Sequence, residues 1–439
     1  MADPRKLRFL GIAAAVIGLV LTRKLATPDV VPIDLQVYRA GAAAFLRGES
    51  IYAHDFPAGG IELPFIYPPV GALVLSPFTF VSERVATGIM FTISSFLFAL
   101  AIFLVVRGLN YYRGRIYPNR PLSQLEVVTL TLVLWAFAVS TEPFQMNANY
   151  AQVNVLIMTL VIADLFPRKR FLPQGSLIGL AIAIKLTPLA MLLYFAIRLN
   201  WRAILTAFSS FLACTGVVAL FRPHETVEFY TKAVFETNEK VGIYYITNQS
   251  LQGMISRWFP SEAAYHAHES TVKLVWLVLS LALVVLVALL MRALIRKGLL
   301  VDAVFVNALL MLLISPISWS HHWVWLPLAA IPLGWHFWHS WGSSWLIGTL
   351  AAATGYLLIH PGHWQYGDTS NGADFLFPFG QKLMIASYVW LGLAILMVYS
   401  LWQRHIRPHE AYVGGLTGAA GSGDIHNTDI RQSGRRISA

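Results

Sequence analysis

The chain has 439 residues, of which 56% are hydrophobic and only 12% are Asp, Glu, Lys or Arg, against about 25% charged residues in soluble domains. Its mean hydropathy is +0.60, and apolar runs long enough to cross ~30 Å of hydrocarbon recur along it; a soluble enzyme is excluded, and the unbroken runs exclude an outer-membrane barrel, whose strands alternate. The formal charge of +10 would suit nucleic acid, but basic cytoplasmic loops account for it.

Arg5, Lys6 and Arg8 precede the first apolar segment and place the N-terminus in the cytoplasm. They resemble a signal peptide, yet a chain starting at Met1 reads as keeping an uncleaved first span, about 8–24. That span leads out to a long loop, about 25–83, which carries Asp34. Residues 35–46 have helical spacing (Leu35, Tyr38, Ala42, Phe45, Leu46), which predicts a helix lying on the membrane surface. The run Leu63-Pro64-Phe65-Ile66-Tyr67-Pro68-Pro69 leads back to span two, about 84–106, which ends before Arg107, Arg113, Arg115 and Arg120. Spans three and four, about 124–141 and 150–166, go out and return to Arg168-Lys169-Arg170.

Residues 174–198 lie between that basic loop and Arg198 and Arg202, so both ends are expected in the cytoplasm. The segment reads as a hairpin of two short helices broken near Lys185–Pro188, because Pro removes a helix hydrogen bond. Such breaks are tolerated inside a membrane only against protein or a wet cavity. One kinked span is the alternative, and it would put the acidic 222–270 segment inside. Span six, about 203–220, exits to a second long loop, about 222–271; spans follow at about 272–291, 300–314, 323–338, 343–359 and 381–402. Arg404 and Arg407 place the C-terminus inside, and the Gly- and Ser-rich stretch 408–439 reads as a disordered cytoplasmic tail. The expected architecture is an all-α polytopic membrane domain over 1–407, with about 11–12 helical segments in the membrane. Cys214, the single cysteine, reads as a packing residue.

Chemistry then has to come from groups at the outer face or inside the bilayer. Asp34 follows the first span and precedes an amphipathic run; it reads either as a helix cap or as a carboxylate that takes the proton of an attacking hydroxyl. Lys185 sits among apolar residues, where an ammonium costs about 2.5–3.5 kcal/mol on insertion scales and marks a function by default. At the tip of a hairpin it would meet a phosphate head group; snorkelling to the nearer surface is the alternative. His321 and His322 follow the break Ser315-Pro316-Ile317-Ser318-Trp319 at an outward helix end. Adjacent helical residues point ~100° apart, so both are not expected to serve one site easily. A base, an acceptor-binding group or a phosphate partner is the functional reading, and an interfacial pair in the aromatic belt of Trp319, Trp323 and Trp325 is the bland one. No further ligand spacing supports a metal. The runs Asn248-Gln249-Ser250 and Tyr150-Ala151-Gln152-Val153-Asn154 bring amides, which suit sugar hydroxyls because each donates and accepts; loop hydrogen bonds explain them nearly as well.

Taken in register, Asp34-Leu35-Gln36-Val37-Tyr38, the Leu63–Pro69 run, Ala183-Ile184-Lys185-Leu186-Thr187-Pro188, Asn248-Gln249-Ser250 and Ser315–His322 resemble glycosyltransferase family 87, over about residues 30–330. The likeness is to its actinobacterial polyprenyl-phosphate-mannose-dependent α-1,2-mannosyltransferases. The resemblance implies a GT-C membrane fold with a periplasmic active site, a polyprenyl-phosphate-mannose donor and an inverting transfer to a mannosylated phosphatidylinositol glycolipid. The family's aspartate falls on Asp34 and its paired histidines on His321 and His322. Its Gly-Gln-Val-Asn-like run appears as Ala151-Gln152-Val153-Asn154, with Ala in place of Gly.

On that reading Asp34 or His322 is the base, Lys185 binds the donor phosphate with help from Arg39, and His321, Tyr67, Gln152, Asn154, Asn248 and Gln249 contact substrate. A phosphate leaving group carries charge well, so neither a metal nor another cofactor is expected. Between elongating phosphatidylinositol mannosides and branching lipomannan or lipoarabinomannan, the Leu63–Pro69 run leans to branching. Arabinofuranosyl transfer on the same fold is the in-class competitor. A lipid or sugar transporter or flippase is the competitor from another class, disfavoured by the lack of internal repeats.

Overall fold

The computed structural model describes residues 3–28, 30–112, 121–167, 170–236, 242–339, 345–366 and 373–406. The expected tail, 408–439, lies outside the described residues, as do Arg113, Arg115, Arg120, Arg168, Lys169 and Arg407 of the topological reading.

Helix α1 (Pro4–Ala26) is started by Asp3, whose carboxylate accepts the Arg5 amide, and turns Gly11, Ala14, Gly18 and Thr22 inward. Small residues let membrane helices approach, and Gly18 meets the ring of Trp135 so closely that a Cβ would stand 2.5 Å from it. Helix α2 (Ile33–Arg47) ends at Gly48, whose φ of +83° supplies the left-handed stop. It buries Leu35, Tyr38, Ala42 and Phe45 along one face, as its spacing predicts. A short antiparallel hairpin, β1 (Phe56–Ala58) with β2 (Ile61–Leu63), precedes α3 (Pro69–Leu75).

Helices α4 (Glu83–Tyr112), α5 (Gln124–Ala138) and α6 (Glu142–Asn149) follow, with a 66° bend between the last two. A capping box of Ser123 and Glu126 opens α5. Next come α7 (Asn154–Leu165) and α8 (Ser176–Ile184), a 3-10 segment (Thr187–Met191), α9 (Leu192–Ile197) and α10 (Trp201–Phe221). The outer loop carries α11 (Pro223–Glu228), α12 (Leu251–Ser256) and α13 (Glu262–Ala267). The chain closes with α14 (Glu269–Arg296), α15 (Leu300–Ile314), a 3-10 turn (Ser320–Val324), α16 (Trp325–His339), α17 (Trp345–Ile359), α18 (Phe379–Ile385) and α19 (Ser387–Trp402).

The protein is thus a polytopic all-α membrane protein. Among the described residues, α1, α4, α10 and α14 are each long and apolar enough to cross a bilayer, and the bent pairs α5–α6 and α18–α19 raise the number to six. Several apolar segments that the sequence presents as full spans are shorter helices, such as α7 with 12 residues and α15 with 15. At 1.5 Å per residue these reach about 18–23 Å. Helix α15 is buried over almost its whole circumference and forms the centre of the core, whereas α10 and α14 keep most of their apolar side chains outward, toward lipid.

The segment 174–198 forms the expected hairpin. Its two ends meet, with the Asn200 amide donating to Gln174 Oε1 at 3.2 Å, a contact that one kinked span could not close. Gly179 lies against the Ala207 carbonyl, 2.2 Å from where a Cβ would stand, so α8 and α10 pack backbone to backbone. Asp164 fixes the start of α8 by accepting the Gly175 and Ile178 amides at 2.7 and 3.0 Å. The chain leaves helical geometry at Lys185, with φ −152° and ψ 128°, at the hairpin's tip.

Candidate active site

Five chain segments converge on a cavity of about 460 Å³. The first two turns of α2 contribute Asp34 and Tyr38, the loop before α3 contributes Tyr67, and the turn between α6 and α7 contributes Gln152. The hairpin tip adds Lys185, and the stretch Ser315–His322 adds Trp319, His321 and His322.

Two hydrogen-bonded chains organise these groups. Tyr38 and Tyr67 share a hydroxyl–hydroxyl bond of 2.8 Å, Tyr67 donates to Gln152 Oε1 at 2.9 Å, and the Gln152 amide donates to Asp34 Oδ2. The second chain starts at Lys185, whose ammonium donates to Asn154 Oδ1 at 2.8 Å and meets His322 Nε2 at 3.3 Å. Asn154 also donates to the His321 carbonyl at 3.2 Å, which ties the histidine segment to the start of α7. Lys185 lies 3.5 Å from the Tyr67 hydroxyl and so joins the two chains.

Asp34 is not a helix cap: Pro32 takes that position without a side-chain bond, and the carboxylate faces the cavity. Its enclosure pushes the carboxyl up to about 6, against the downward pull of the Gln152 bond and the Lys185 charge. A carboxylate tuned close to neutral pH is suited to taking a proton.

The histidines differ from expectation. Both line the one cavity, with rings edge to face at 4.8 Å and 86°. The two rings diverge, yet both border the same cavity. His321 is buried and its Nε2 has no hydrogen-bond partner among the described residues.

Four expected contacts do not line the cavity: Asn154, which accepts from Lys185, and Arg39, Asn248 and Gln249. The Arg39 guanidinium donates to the carbonyls of Phe78 and Val81, the latter at 2.6 Å, and does not line the cavity. Asn248 and Gln249 are fully buried and bonded to backbone. Asn248 donates to the carbonyls of Ile243 and Pro316 and accepts the Ser318 amide at 2.9 Å. Gln249 donates to the Ile246 and Ile385 carbonyls at 2.7 and 2.8 Å. The run Asn248–Ser250 therefore staples the outer loop to the segment before the histidines, and its role is structural. Sequence reading passed over Tyr38 and Trp319; Tyr38 was legible, because it lies one helical turn from Asp34 and faces the same way.

Among the described residues no group of three or more His, Cys, Asp or Glu is placed to hold a metal ion. The arrangement offers a half-buried base, a half-buried ammonium and apolar walls that include Leu186, Ala190, Met311 and Ile314. It can hold an anionic head group beside a hydroxyl-bearing partner and take a proton from the latter.

The model of glycosyltransferase family 87 matches residues 65–316. The matched stretch contains Tyr67, Gln152, Asn154 and Lys185 and stops short of Asp34 and the histidine pair. Relatives extend over nearly the whole chain. A polyprenol-phosphate-mannose-dependent alpha-(1-2)-phosphatidylinositol mannoside mannosyltransferase of Mycobacterium tuberculosis is 30% identical over 88% of this chain and 89% of its own length. Its namesake from Mycolicibacterium smegmatis is 30% identical over 90% and 87%. A pentamannoside-directed enzyme from the same species is 28% identical over 83% and 87%.

Proposed function

We infer the reaction from one premise: the chain belongs to glycosyltransferase family 87. It is an α-1,2-mannosyltransferase that moves mannose from polyprenyl-phosphate-mannose to a mannosylated phosphatidylinositol. The observation that carries this reading is Lys185, an ammonium inside one cavity with both Asp34 and His322.

The polyprenyl chain would lie along the apolar wall, with its phosphate at Lys185. The acceptor's 2-hydroxyl attacks the anomeric carbon on the face opposite the phosphate. A carbon–oxygen bond to the incoming sugar forms, the bond to the phosphate oxygen breaks, and the electron pair leaves on polyprenyl phosphate, held by Lys185. A β-linked donor thus gives an α-linked product in one inversion. The acceptor proton goes to Asp34 or His322, and the geometry favours Asp34. With Lys185 against its Nε2, His322 becomes an acceptor there only once a phosphate has drawn the ammonium away. Tyr67 and His321 would contact sugar, while Gln152 and Asn154 would orient Asp34 and Lys185 through their hydrogen bonds. Oriented charge of this kind contributes several kcal/mol to a displacement, and with Lys185 offsetting the leaving charge the step needs no resident metal. The active site faces the periplasm and both termini the cytoplasm, as the basic loops favour.

The test is transfer by purified protein in nanodiscs, with labelled polyprenyl-phosphate-mannose and phosphatidylinositol mannosides of increasing length. The expected result is an α-1,2-linked product, with polyprenyl phosphate released in equal amount and EDTA without effect. No release with any acceptor in that series overturns the assignment.

A further inference from the structure

The cavity does not contain Glu142, yet this carboxylate is the most heavily engaged acceptor near it. It opens α6 just after the 66° bend and is 6% exposed. Trp364 Nε1 donates to its Oε1 at 2.8 Å and His363 Nε2 donates to the same oxygen at 3.2 Å. The Tyr388 hydroxyl donates to its Oε2 at 2.8 Å. The donors come from two separate parts of the chain, the turn Gly362–Trp364 and the start of α19.

Tyr388 matters because its ring packs against Trp323 at 5.5 Å, and Trp323 immediately follows His321 and His322 in the 3-10 turn. Asn154 holds the His321 carbonyl. Glu142 therefore helps to set where the histidine turn sits relative to α6, and Gln152, which bonds Asp34, follows from the C-terminal end of that same helix. One carboxylate links the histidine side of the cavity to the aspartate side. Losing one oxygen acceptor of a buried carboxylate with three donors strands donors that are closed off from water.

We propose that Glu142 is a positioning residue of the transfer reaction, which registers His321 and His322 against the Asp34–Gln152 side of the cavity through Tyr388 and Trp323. It touches no substrate. The proposal rests on the mannosyl-transfer reading for its kinetic consequence but not for its structural one, and the experiment separates the two.

Glu142→Gln, Tyr388→Phe and the double variant are compared with wild type in nanodiscs. Thermal midpoint, kcat and KM for the donor, and hydrogen–deuterium exchange over residues 317–326 are measured for each. Tyr388→Phe removes one donor, keeps a ring against Trp323 and leaves the other two donors to Glu142 in place. The expected result is a fall in kcat of about 10-fold for Tyr388→Phe and more for Glu142→Gln, within the range of acid–base groups set out of line. The donor KM should stay within about twofold, because Lys185 and the apolar wall are untouched. Exchange should rise over 317–326 while α1 and α4 keep their protection, and the double variant should be no worse than Glu142→Gln alone. Wild-type kcat and exchange in both single variants overturn the proposal. So does a uniform rise in exchange with a lowered midpoint and unchanged kcat per folded molecule, which would make Glu142 a fold residue only. If wild type transfers no mannose, the functional reading falls, and the exchange pattern alone decides whether Glu142 positions the turn.

Discussion

Asp34 shows how much one side chain owes to its surroundings. Enclosure lifts its carboxyl to about 6, and the Gln152 amide and the Lys185 charge keep it from rising further. Below that value the group is protonated and cannot accept the acceptor's proton; above it the base is present. For Asp34 as the base, kcat/KM should fall about tenfold per unit as pH drops below about 6. Asp34→Asn should cut transfer at least 10²-fold and abolish that acidic limb, leaving a flat residual rate. A pH series on both proteins checks this, and an acidic limb that survives in the variant assigns it to another group. The same residue scale explains the misplaced Arg39. It is five residues from Asp34, and five steps of ~100° turn it ~140° away round the helix. Residue type and nearness along the chain were legible; side-chain direction required the helix to be drawn. Asn248 and Gln249 misled for a related reason, since an amide bonded to backbone and an amide awaiting a sugar look alike in sequence.

At the scale of elements, the hairpin tip was legible because a lysine and a proline stand together in an apolar run, a pattern with few physical solutions. The junction of α6 and α7 was legible only in part. Ala151 stands where the family pattern has Gly, and it adopts φ +51° at the end of α6, a left-handed conformation that costs an L side chain about 1–2 kcal/mol. The Ala151 and Gln152 amides donate to the Ala148 and Asn147 carbonyls at 2.7 and 2.8 Å, so the turn is fixed despite that cost. Ala151→Gly should relieve the strain, less the extra freedom Gly gains when unfolded. A net gain of about 0.5–1 kcal/mol, or one to two degrees in thermal midpoint, is expected, with kcat within about twofold. A lowered midpoint in differential scanning fluorimetry would mean that the alanine methyl packs more than it strains. The Glu142 cluster was not legible at all, because its donors lie 221 to 246 positions away in sequence.

Across the whole molecule, hydropathy told lipid from water but not which apolar helices cross. Helix α15 is as apolar as any span and is buried within protein on all sides, so the same composition serves a core helix and a spanning one. Charge supplies what hydropathy lacks, since basic residues gather in cytoplasmic loops. With the cavity between α2 and the histidine turn, we propose by that rule that Asp34 and the β1–β2 hairpin lie on the outer side and the end of α19 on the inner. Cys214 is the single cysteine, so a Cys214→Ala background permits a direct test. Glu62 on β2 and Arg404 after α19 are both exposed. In intact cells a membrane-impermeant maleimide should label the Glu62→Cys variant and spare Arg404→Cys, which should react only after permeabilisation. The opposite pattern would turn the molecule over, put the cavity in the cytoplasmic leaflet, and require a donor presented on that side. Labelling of both variants in intact cells would put the end of α19 outside, and the chain would then cross the membrane an even number of times between β2 and the end of α19, where the basic loops demand an odd number.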